Sequence, residues 1–182
     1  MTTALIGNCG FSAAPLTPRD AYPQDFLLGD PAYYRFPRMR DYFAELTAKP
    51  AAINCVALVG HSALRVECMS ELDRPANAAE IAKMSARLAE ALEDGAVGFS
   101  TGLEYPSNKA ADTDEVVALA RVAGEAGAFY TTHARNYDDH FRAALDEALE
   151  IGRRSETPVI LSHLQGDGPE NIGHVAWSLP QI

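Results

Sequence analysis

Short runs of β-branched and aromatic residues alternate with amphipathic segments along most of the chain. Segments 53–60, 96–100, 128–133 and 158–163 are apolar and are bounded by Gly, Pro or a charged turn. Segment 3–9 has the same character. Apolar runs of this length with such boundaries predict buried β-strands.

Three longer segments between these strands repeat apolar residues at helical spacing. They predict helices over 77–94, 113–126 and 138–154. The first begins with Asn77 and Glu80 in the spacing of a capping box, and a glycine directly follows the first and the second.

Strands that alternate with helices at intervals of about thirty residues predict a parallel sheet connected by right-handed crossovers. A doubly wound sheet and a barrel both satisfy this pattern. The chain lacks the G-x-G-x-x-G sequence of a dinucleotide-binding sheet. Residues capable of chemistry recur at the carboxyl ends of the predicted strands, as in barrels. We therefore predict an α/β fold, a partial (β/α)8 TIM-type barrel over residues 1–182.

A complete barrel needs roughly 250 residues, whereas about five strands are predicted here. Two sheet edges would then stay open unless other parts of a longer chain cover them. Segment 16–49 is rich in Tyr and Phe and predicts a long loop and a helix after the first strand. It could shape a substrate pocket or pack its aromatic residues on itself at the surface, and both alternatives stay open.

Composition narrows the classes of function. Of the 182 residues 47% are hydrophobic and 22% are charged, and the formal net charge is −10. An acidic surface without a Lys/Arg cluster makes nucleic acid an unexpected partner. No apolar run is long enough to span a bilayer, so no membrane association and a cytoplasmic location are expected. Three cysteines form no disulfide framework.

Three residues with metal-binding side chains lie at the carboxyl ends of predicted strands, and these are Cys9, His133 and His163. On parallel strands their side chains would meet at one face of the sheet. Thiolate and imidazole are good ligands for zinc, which leaves a coordination position open at catalytic sites. The alternative is that the three side chains satisfy one another in a polar barrel mouth, and the pattern leaves both interpretations open.

Five motifs, taken in order, resemble those of the N-acyl-D-amino-acid deacylases, or D-aminoacylases, of the amidohydrolase superfamily. They are GNCGFSAAP (7–15), LVGHSALR (58–65), GAVGFSTGLEYPSN (95–108), YTTHARN (130–136) and PVILSHLQG (158–166). The resemblance fades after about Asn171, and the tail 172–182 does not match the helix expected there.

The resemblance implies a barrel fragment covering about strands 2–6 of the metal-dependent hydrolase fold. It assigns the zinc ligands to Cys9, His133 and His163 and a substrate contact to Tyr105. The H-x-H motif of the first barrel strand is absent from these residues. The aspartate that acts as general base on the eighth strand is expected beyond Ile182. The isolated chain is therefore expected to bind zinc poorly and to be inactive without the missing strands.

Two positions depart from the family pattern. Gln165 stands where the family often has a lysine that holds the substrate carboxylate, and a neutral amide offers only hydrogen bonds. Glu104 stands at an often apolar position near the side-chain pocket, where an acid would disfavour acidic substrates unless it points into solvent. Arg135 could clamp a substrate carboxylate or pair with Asp138 or Asp139.

The function implied by the resemblance is zinc-dependent hydrolysis of an N-acyl-D-amino acid by the parent enzyme. One alternative is another amidohydrolase, acting on a cyclic amide or on an N-acyl-D-glutamate. A second alternative, of a different class, is a truncated remnant without catalysis that binds only a metal or a partner chain. His61 follows a strand, where a packing role is favoured over a place in the site.

Overall fold

The computed structural model describes residues 2–17 and 31–182. Five strands form one sheet, and they are β1 (Thr3–Ile6), β2 (Asn54–Gly60), β3 (Gly98–Gly102), β4 (Phe129–His133) and β5 (Val159–Leu161). The helices are α1 (Met39–Ala48), α2 (His61–Cys68), α3 (Ala78–Glu93), α4 (Pro106–Lys109), α5 (Thr113–Glu125), α6 (Phe141–Ser155) and α7 (Val175–Ser178). Short 3-10 turns cover Pro31–Tyr33, Pro169–Asn171 and Leu179–Gln181.

The strand order distinguishes a barrel from a doubly wound sheet. The five strands lie side by side in the order β1-β2-β3-β4-β5, and each neighbouring pair is parallel. A doubly wound sheet reverses the direction of strand addition near its middle, whereas this sheet adds every strand on the same side. The predicted partial TIM-type barrel is confirmed.

The two faces of the sheet differ in polarity, because side chains alternate along each strand. Phe99 and Tyr130 are partners in the β3–β4 register, stack with ring centroids 5.7 Å apart, and belong to the hydrophobic core shared with the helices. Ser100 and Thr131 are the next pair in the register and lie on the opposite face. His133, two residues after Thr131, shares that inner face.

The helices α3 and α5 have the bounds that their capping residues predict. Asn77 accepts hydrogen bonds from the backbone N–H groups of Ala79 and Glu80, and the Glu80 carboxylate accepts one from the backbone N–H of Asn77. Asp112 caps α5 in the same position. These side chains satisfy backbone donors that the first helical turn leaves unpaired.

Helix α6 begins later than predicted. The prediction placed its start at residue 138, whereas the helix spans Phe141–Ser155. Asn136 Oδ1 accepts hydrogen bonds from the backbone N–H groups of Asp138 and His140, at 3.0 and 2.9 Å. This side chain holds the three preceding residues in a turn outside the helix, a known competition between Asn side chains and helical hydrogen bonds.

The predicted ends of two strands are also wrong. Strand β1 ends at Ile6 rather than at Cys9, because Gly7 and Cys9 have φ angles of 88° and 55°. A positive φ interrupts an extended strand. Strand β5 ends at Leu161, so His163 lies in the loop that follows it.

Part of the aromatic segment 16–49 packs beneath the barrel mouth. Tyr34 is buried in a small cluster with Phe11 and Leu16, and the Leu16 backbone N–H donates to the carbonyl of Phe36 at 2.8 Å. Residues 18–30 of this segment lie outside the described residues. The described part therefore packs against the segment that follows β1 and against α2.

A buried ionic group joins α2 to α5. His61, Arg65 and Glu115 have fully buried side chains, and Glu115 Oε1 accepts from Arg65 Nη1 at 2.5 Å and pairs with His61 Nε2 at 2.8 Å. Glu115 Oε2 accepts from the backbone N–H of Ala76 at 2.8 Å. His61 thus has the packing role that was favoured for it.

Candidate metal centre

Cys9 projects from a tight turn between β1 and the following segment. Gly7, Cys9 and Gly10 all have positive φ angles. The buried hydroxyl of Ser100 donates to the Gly7 carbonyl at 2.5 Å and accepts from the Gly10 backbone N–H at 3.2 Å. The Ser62 backbone N–H donates to the Gly10 carbonyl at 2.9 Å. Neighbouring elements therefore fix the turn that carries the thiol.

The structure brings Cys9, His133 and His163 together. Cys9 Sγ lies 3.7 Å from His163 Nε2, and the rings of His133 and His163 meet edge to face with centroids 5.1 Å apart. One ligand atom from each of the three residues lies within 4.8 Å of the other two. Side chains separated by up to 154 positions in sequence thus share one small volume.

The spacing suits a tetrahedral metal ion. Zinc binds sulfur at about 2.3 Å and imidazole nitrogen at about 2.0–2.1 Å, which puts two such ligands on one ion about 3.5 Å apart. The distance between Cys9 Sγ and His163 Nε2 is already close to this value. Burial raises the pKa of the Cys9 thiol, so a nearby cation would be needed to favour the thiolate that binds metal.

Tyr105 and Glu104 contact the same histidine. The Tyr105 ring stacks on His133 with centroids 4.7 Å apart, and its hydroxyl lies 3.5 Å from His133 Nδ1. Glu104 Oε2 lies 2.7 Å from His133 Nε2, although the Glu104 side chain is 51% exposed. Glu104 therefore points toward the histidine cluster rather than away into solvent.

Comparison with known proteins gives relatives over the whole chain. No family model matches it. An N-acyl-D-aspartate deacylase of Alcaligenes xylosoxydans xylosoxydans is 44% identical over 183 residues, which cover 100% of this chain and 37% of that protein. A D-aminoacylase of the same organism is 41% identical over 182 residues, covering 100% of this chain and 38% of the relative.

The solved structures that match this chain are of the same kinds of enzyme as these relatives. A D-aminoacylase crystal structure, described as defining a novel subset of amidohydrolases, matches with a TM-score of 0.93 and 40% identity over 100% of this chain and 38% of its own. The resemblance to the D-aminoacylases is confirmed. An N-acyl-D-glutamate deacylase from Bordetella bronchiseptica, complexed with zinc and a phosphonate inhibitor, matches at a TM-score of 0.90 and 38% identity over 99% of this chain and 38% of its own.

The chain spans about 38% of the length of the D-aminoacylases that it matches. Another of these D-aminoacylase structures is described by its binuclear metal centre. Within residues 2–17 and 31–182, the structure has no helix that is both long and apolar enough to cross a membrane.

Arg135 has partners other than those considered from the sequence. It forms a bidentate ion pair with Glu147, with both N–O distances at 2.8 Å, rather than a pair with Asp138 or Asp139. Its remaining bonds go to the carbonyls of Lys109 and Ala111. Four donations occupy most of the five N–H groups of a guanidinium. A substrate clamp at Arg135 stays a prediction.

Arg135 and Glu104 line a common open cavity of about 480 Å³ beside the cluster. Lys109, Asn136 and Glu147 also contribute to its wall. Gln165 lies in the loop after His163 and has an exposed side chain. The structure therefore places two of the four predicted substrate contacts, Tyr105 and Glu104, directly against the histidine cluster.

Sequence reasoning missed Tyr137 and Ser100. Tyr137 meets His133 edge-on with ring centroids 4.9 Å apart, and its hydroxyl accepts from the Ala134 backbone N–H at 2.8 Å. Burial raises the pKa of Tyr137 to about 12. Nothing in its sequence context marks this role. Ser100 could have been found from strand alternation, which places it on the same face as His133.

A second group of metal-binding side chains lies at the surface. Asp138, Asp139 and His140 are all exposed, and Asp139 Oδ1 lies 2.6 Å from His140 Nδ1. Exposed acidic groups of this kind are common without a metal. Its three residues are all exposed, whereas in the cluster of Cys9, His133 and His163 only His163 is exposed.

Proposed function

We propose that this chain supplies one set of metal ligands to an amidohydrolase that cleaves N-acyl-D-amino acids into a D-amino acid and a carboxylate. The observation that carries the proposal is the convergence of Cys9, His133 and His163 at the mouth of a partial barrel. The substrate class comes from the relatives, since they are named as deacylases of N-acyl-D-aspartate and N-acyl-D-glutamate and as a D-aminoacylase.

Cys9, His133 and His163 would hold zinc. One thiolate and two imidazoles form a donor set that zinc accepts, and three protein ligands leave a position open for water or substrate. When bound, the ion would polarise the acyl carbonyl and lower the pKa of a water molecule. The relative that was solved with zinc and a phosphonate inhibitor supports zinc as the metal.

The remaining residues would bind and orient the substrate. Burial, together with the charges of Cys9 and Glu104, raises the pKa of Tyr105. Its hydroxyl therefore keeps its proton and can donate to a substrate oxygen near His133. Gln165 would donate an amide hydrogen bond to the substrate carboxylate. Arg135 lies in the adjoining cavity, where its charge would attract the same carboxylate.

Other parts of a longer protein would complete the site. The general-base aspartate is expected beyond Ile182, and the missing barrel strands would supply the H-x-H motif. We therefore propose that the residues of this chain hold metal and substrate without turning substrate over on their own. A cytoplasmic location is part of the same proposal.

Zinc binding tests the proposal directly. The chain and a triple variant, Cys9→Ala with His133→Ala and His163→Ala, would be titrated with zinc in competition with a chelating dye. We expect the wild-type chain to bind at least tenfold more tightly than the triple variant. His140→Ala, in the exposed surface group, is the matched control and should leave the affinity unchanged. Equal affinities of wild type and triple variant would remove the site.

A substrate panel distinguishes the alternatives. The longest reading frame that contains this chain would be assayed with N-acetyl-D-amino acids of neutral, acidic and basic side chains and with cyclic amides. Release of free D-amino acids supports the proposal. Cleavage of cyclic amides alone would instead identify the protein as another kind of amidohydrolase. Zinc binding without any turnover would favour a non-catalytic metal-binding role.

A further inference from the structure

The Glu104 carboxylate faces one nitrogen of a proposed metal ligand. Glu104 Oε2 lies 2.7 Å from His133 Nε2. We propose that Glu104 is a positioning residue for His133: it accepts a hydrogen bond from Nε2–H, which keeps the proton on Nε2 and leaves the Nδ1 lone pair for the metal. The inference rests on the proposed function, and it assigns Glu104 a task other than reading the substrate side chain.

The two edges of the His133 ring face different surroundings. Glu104 lies at the Nε2 edge, whereas the Tyr105 hydroxyl lies 3.5 Å from Nδ1. Tyr105 and Cys9 pack against the same small hydrophobic cluster around Phe11. The Nδ1 edge therefore faces Tyr105, a residue that packs against the same cluster as the thiol.

The negative charge of Glu104 determines which tautomer of His133 is stable. A neutral imidazole carries one proton on either of its nitrogens, and an ionised carboxylate can only accept hydrogen bonds. With Glu104 at Nε2, the stable arrangement has the proton on Nε2 and the lone pair on Nδ1. Histidine ligands commonly donate their other N–H to a carboxylate, which fixes the ring and strengthens metal binding.

Packing alone does not fix this choice. The ring of His133 is held between the face of Tyr105, at 4.7 Å, and the edge of Tyr137, at 4.9 Å. Those contacts set the plane of the ring. They do not decide which nitrogen carries the proton, because the Tyr105 hydroxyl near Nδ1 can either donate or accept a hydrogen bond. The Glu104 carboxylate, which lies at Nε2, determines which nitrogen carries the proton.

The pairing also changes what is expected of substrate selection. A carboxylate engaged by His133 is held at the cluster and is not free to follow different side chains in the adjoining cavity. The rival role is a direct effect on substrate choice, in which Glu104 repels acidic side chains. The two roles predict different results for the same substitutions.

The imidazole tautomer of the metal-free chain is the first test. Nitrogen-15 NMR would be recorded at pH 8 for wild type, Glu104→Gln and Glu104→Leu, with the His133 signals assigned from a His133→Gln variant. We expect the Nε2–H tautomer in wild type, its retention in Glu104→Gln, whose amide oxygen still accepts, and a shift toward Nδ1–H in Glu104→Leu. An unchanged tautomer in Glu104→Leu, or Nδ1–H in wild type, would overturn the proposal.

Zinc titration of the same variants is the second test. We expect Glu104→Leu to weaken zinc binding about tenfold or more, as for other partners of ligating histidines, and Glu104→Gln to weaken it less. Asp139→Asn removes a carboxylate from the exposed His140 and should leave zinc affinity unchanged. Wild-type zinc affinity in Glu104→Leu, combined with an altered side-chain preference when the same substitution is assayed in the longest reading frame that contains this chain, would instead establish the rival role.

The two tests separate this inference from the proposed function. The tautomer measurement needs no metal, so it can succeed even where wild type and the triple ligand variant bind zinc equally. In that outcome the metal site fails while the Glu104–His133 pairing stands. A zinc site that is present but insensitive to Glu104→Leu overturns the positioning role and leaves the metal site intact.

Discussion

The buried ionic group of α2 and α5 gives the sharpest prediction for stability. Glu115 is the anion for Arg65 and the partner of His61, and all three side chains are fully buried. In Glu115→Gln, Arg65 remains a buried cation without a counter-ion. Removal of one partner from a buried ion pair costs about 3–5 kcal/mol. We expect the free energy of unfolding of the chain to fall by that amount.

The pKa of Glu115 gives the same order of magnitude. Burial alone would raise the pKa of Glu115, but the hydrogen bond from His61 and the charge of Arg65 lower it from 4.5 to about 2. A shift of this size corresponds to about 3 kcal/mol. Because the pKa is lower in the folded state, this stabilisation is present above pH 4.5 and is lost as the pH falls toward 2.

Burial lowers the pKa of His61 from 6.5, although Glu115 opposes the shift. The unfolded chain therefore binds an additional proton at this residue below pH 6.5, and stability falls as the pH decreases from there. Both groups thus make the fold sensitive to acid. Urea unfolding between pH 8 and pH 3 should show a stability that these two groups leave unchanged above pH 6.5 and that decreases continuously below it.

Urea denaturation of four variants provides the assay. Glu71→Gln removes the carboxylate from an exposed ion pair with Arg74 and should cost at most about 1 kcal/mol. Arg65→Met alone and together with Glu115→Gln completes a double-mutant cycle, in which the double loss should be smaller than the sum by about 2 kcal/mol or more. A loss below about 1 kcal/mol in Glu115→Gln, with an unchanged acid profile, would refute the reasoning.

Substitutions at three further positions probe the Cys9 turn and a helix cap. Ser100→Ala removes a buried hydroxyl that donates to the Gly7 carbonyl and accepts from the Gly10 N–H. We expect the free energy of unfolding in urea to fall by about 2 kcal/mol and zinc binding to weaken. Ser100→Thr keeps a hydroxyl and should restore part of both. Gly60→Ala would place a Cβ 2.3 Å from the Gly10 carbonyl oxygen, so it should lower the melting temperature and zinc affinity together; unchanged affinity would contradict a rigid turn. Asn77→Ala removes the cap of α3 and should cost about 1 kcal/mol without affecting zinc binding, as measured by the same two assays.

The features that could be predicted from the sequence are those that residues with strong local conformational preferences specify. Asn77 and Glu80 specify the start of α3 through contacts within one turn, and that start is correct. The end of β1 was misplaced because the positive φ of Cys9 has no signal in a non-glycine residue. Helix α6 was started too early because the competing Asn136 side chain acts from outside the periodic segment.

Two side-chain contacts around the candidate site, those of Arg135 and of Glu104, could not be predicted from the sequence. From the sequence, Arg135 could clamp a substrate carboxylate or pair with Asp138 or Asp139, whereas in the structure it pairs with Glu147, which helix α6 places beside it. The pairing of Glu104 with His133 depends on the loop after β3, which brings Glu104 to the last residue of the adjacent strand β4. The convergence of Cys9, His133 and His163 was predictable, because parallel strands place their carboxyl ends at one edge of the sheet and each of the three residues lies within three positions of a strand end.

The long sequence separation of the three candidate ligands makes the site a reporter of global folding. Cys9 and His163 are 154 positions apart, so an unfolded chain rarely holds both near one ion, and metal affinity belongs almost entirely to the folded state. By mass action, free zinc at a hundredfold excess over its dissociation constant would add about 2.7 kcal/mol to the apparent stability. The melting temperature of this protein would then depend on the metal content of its buffer, and a chelator would act as a mild denaturant.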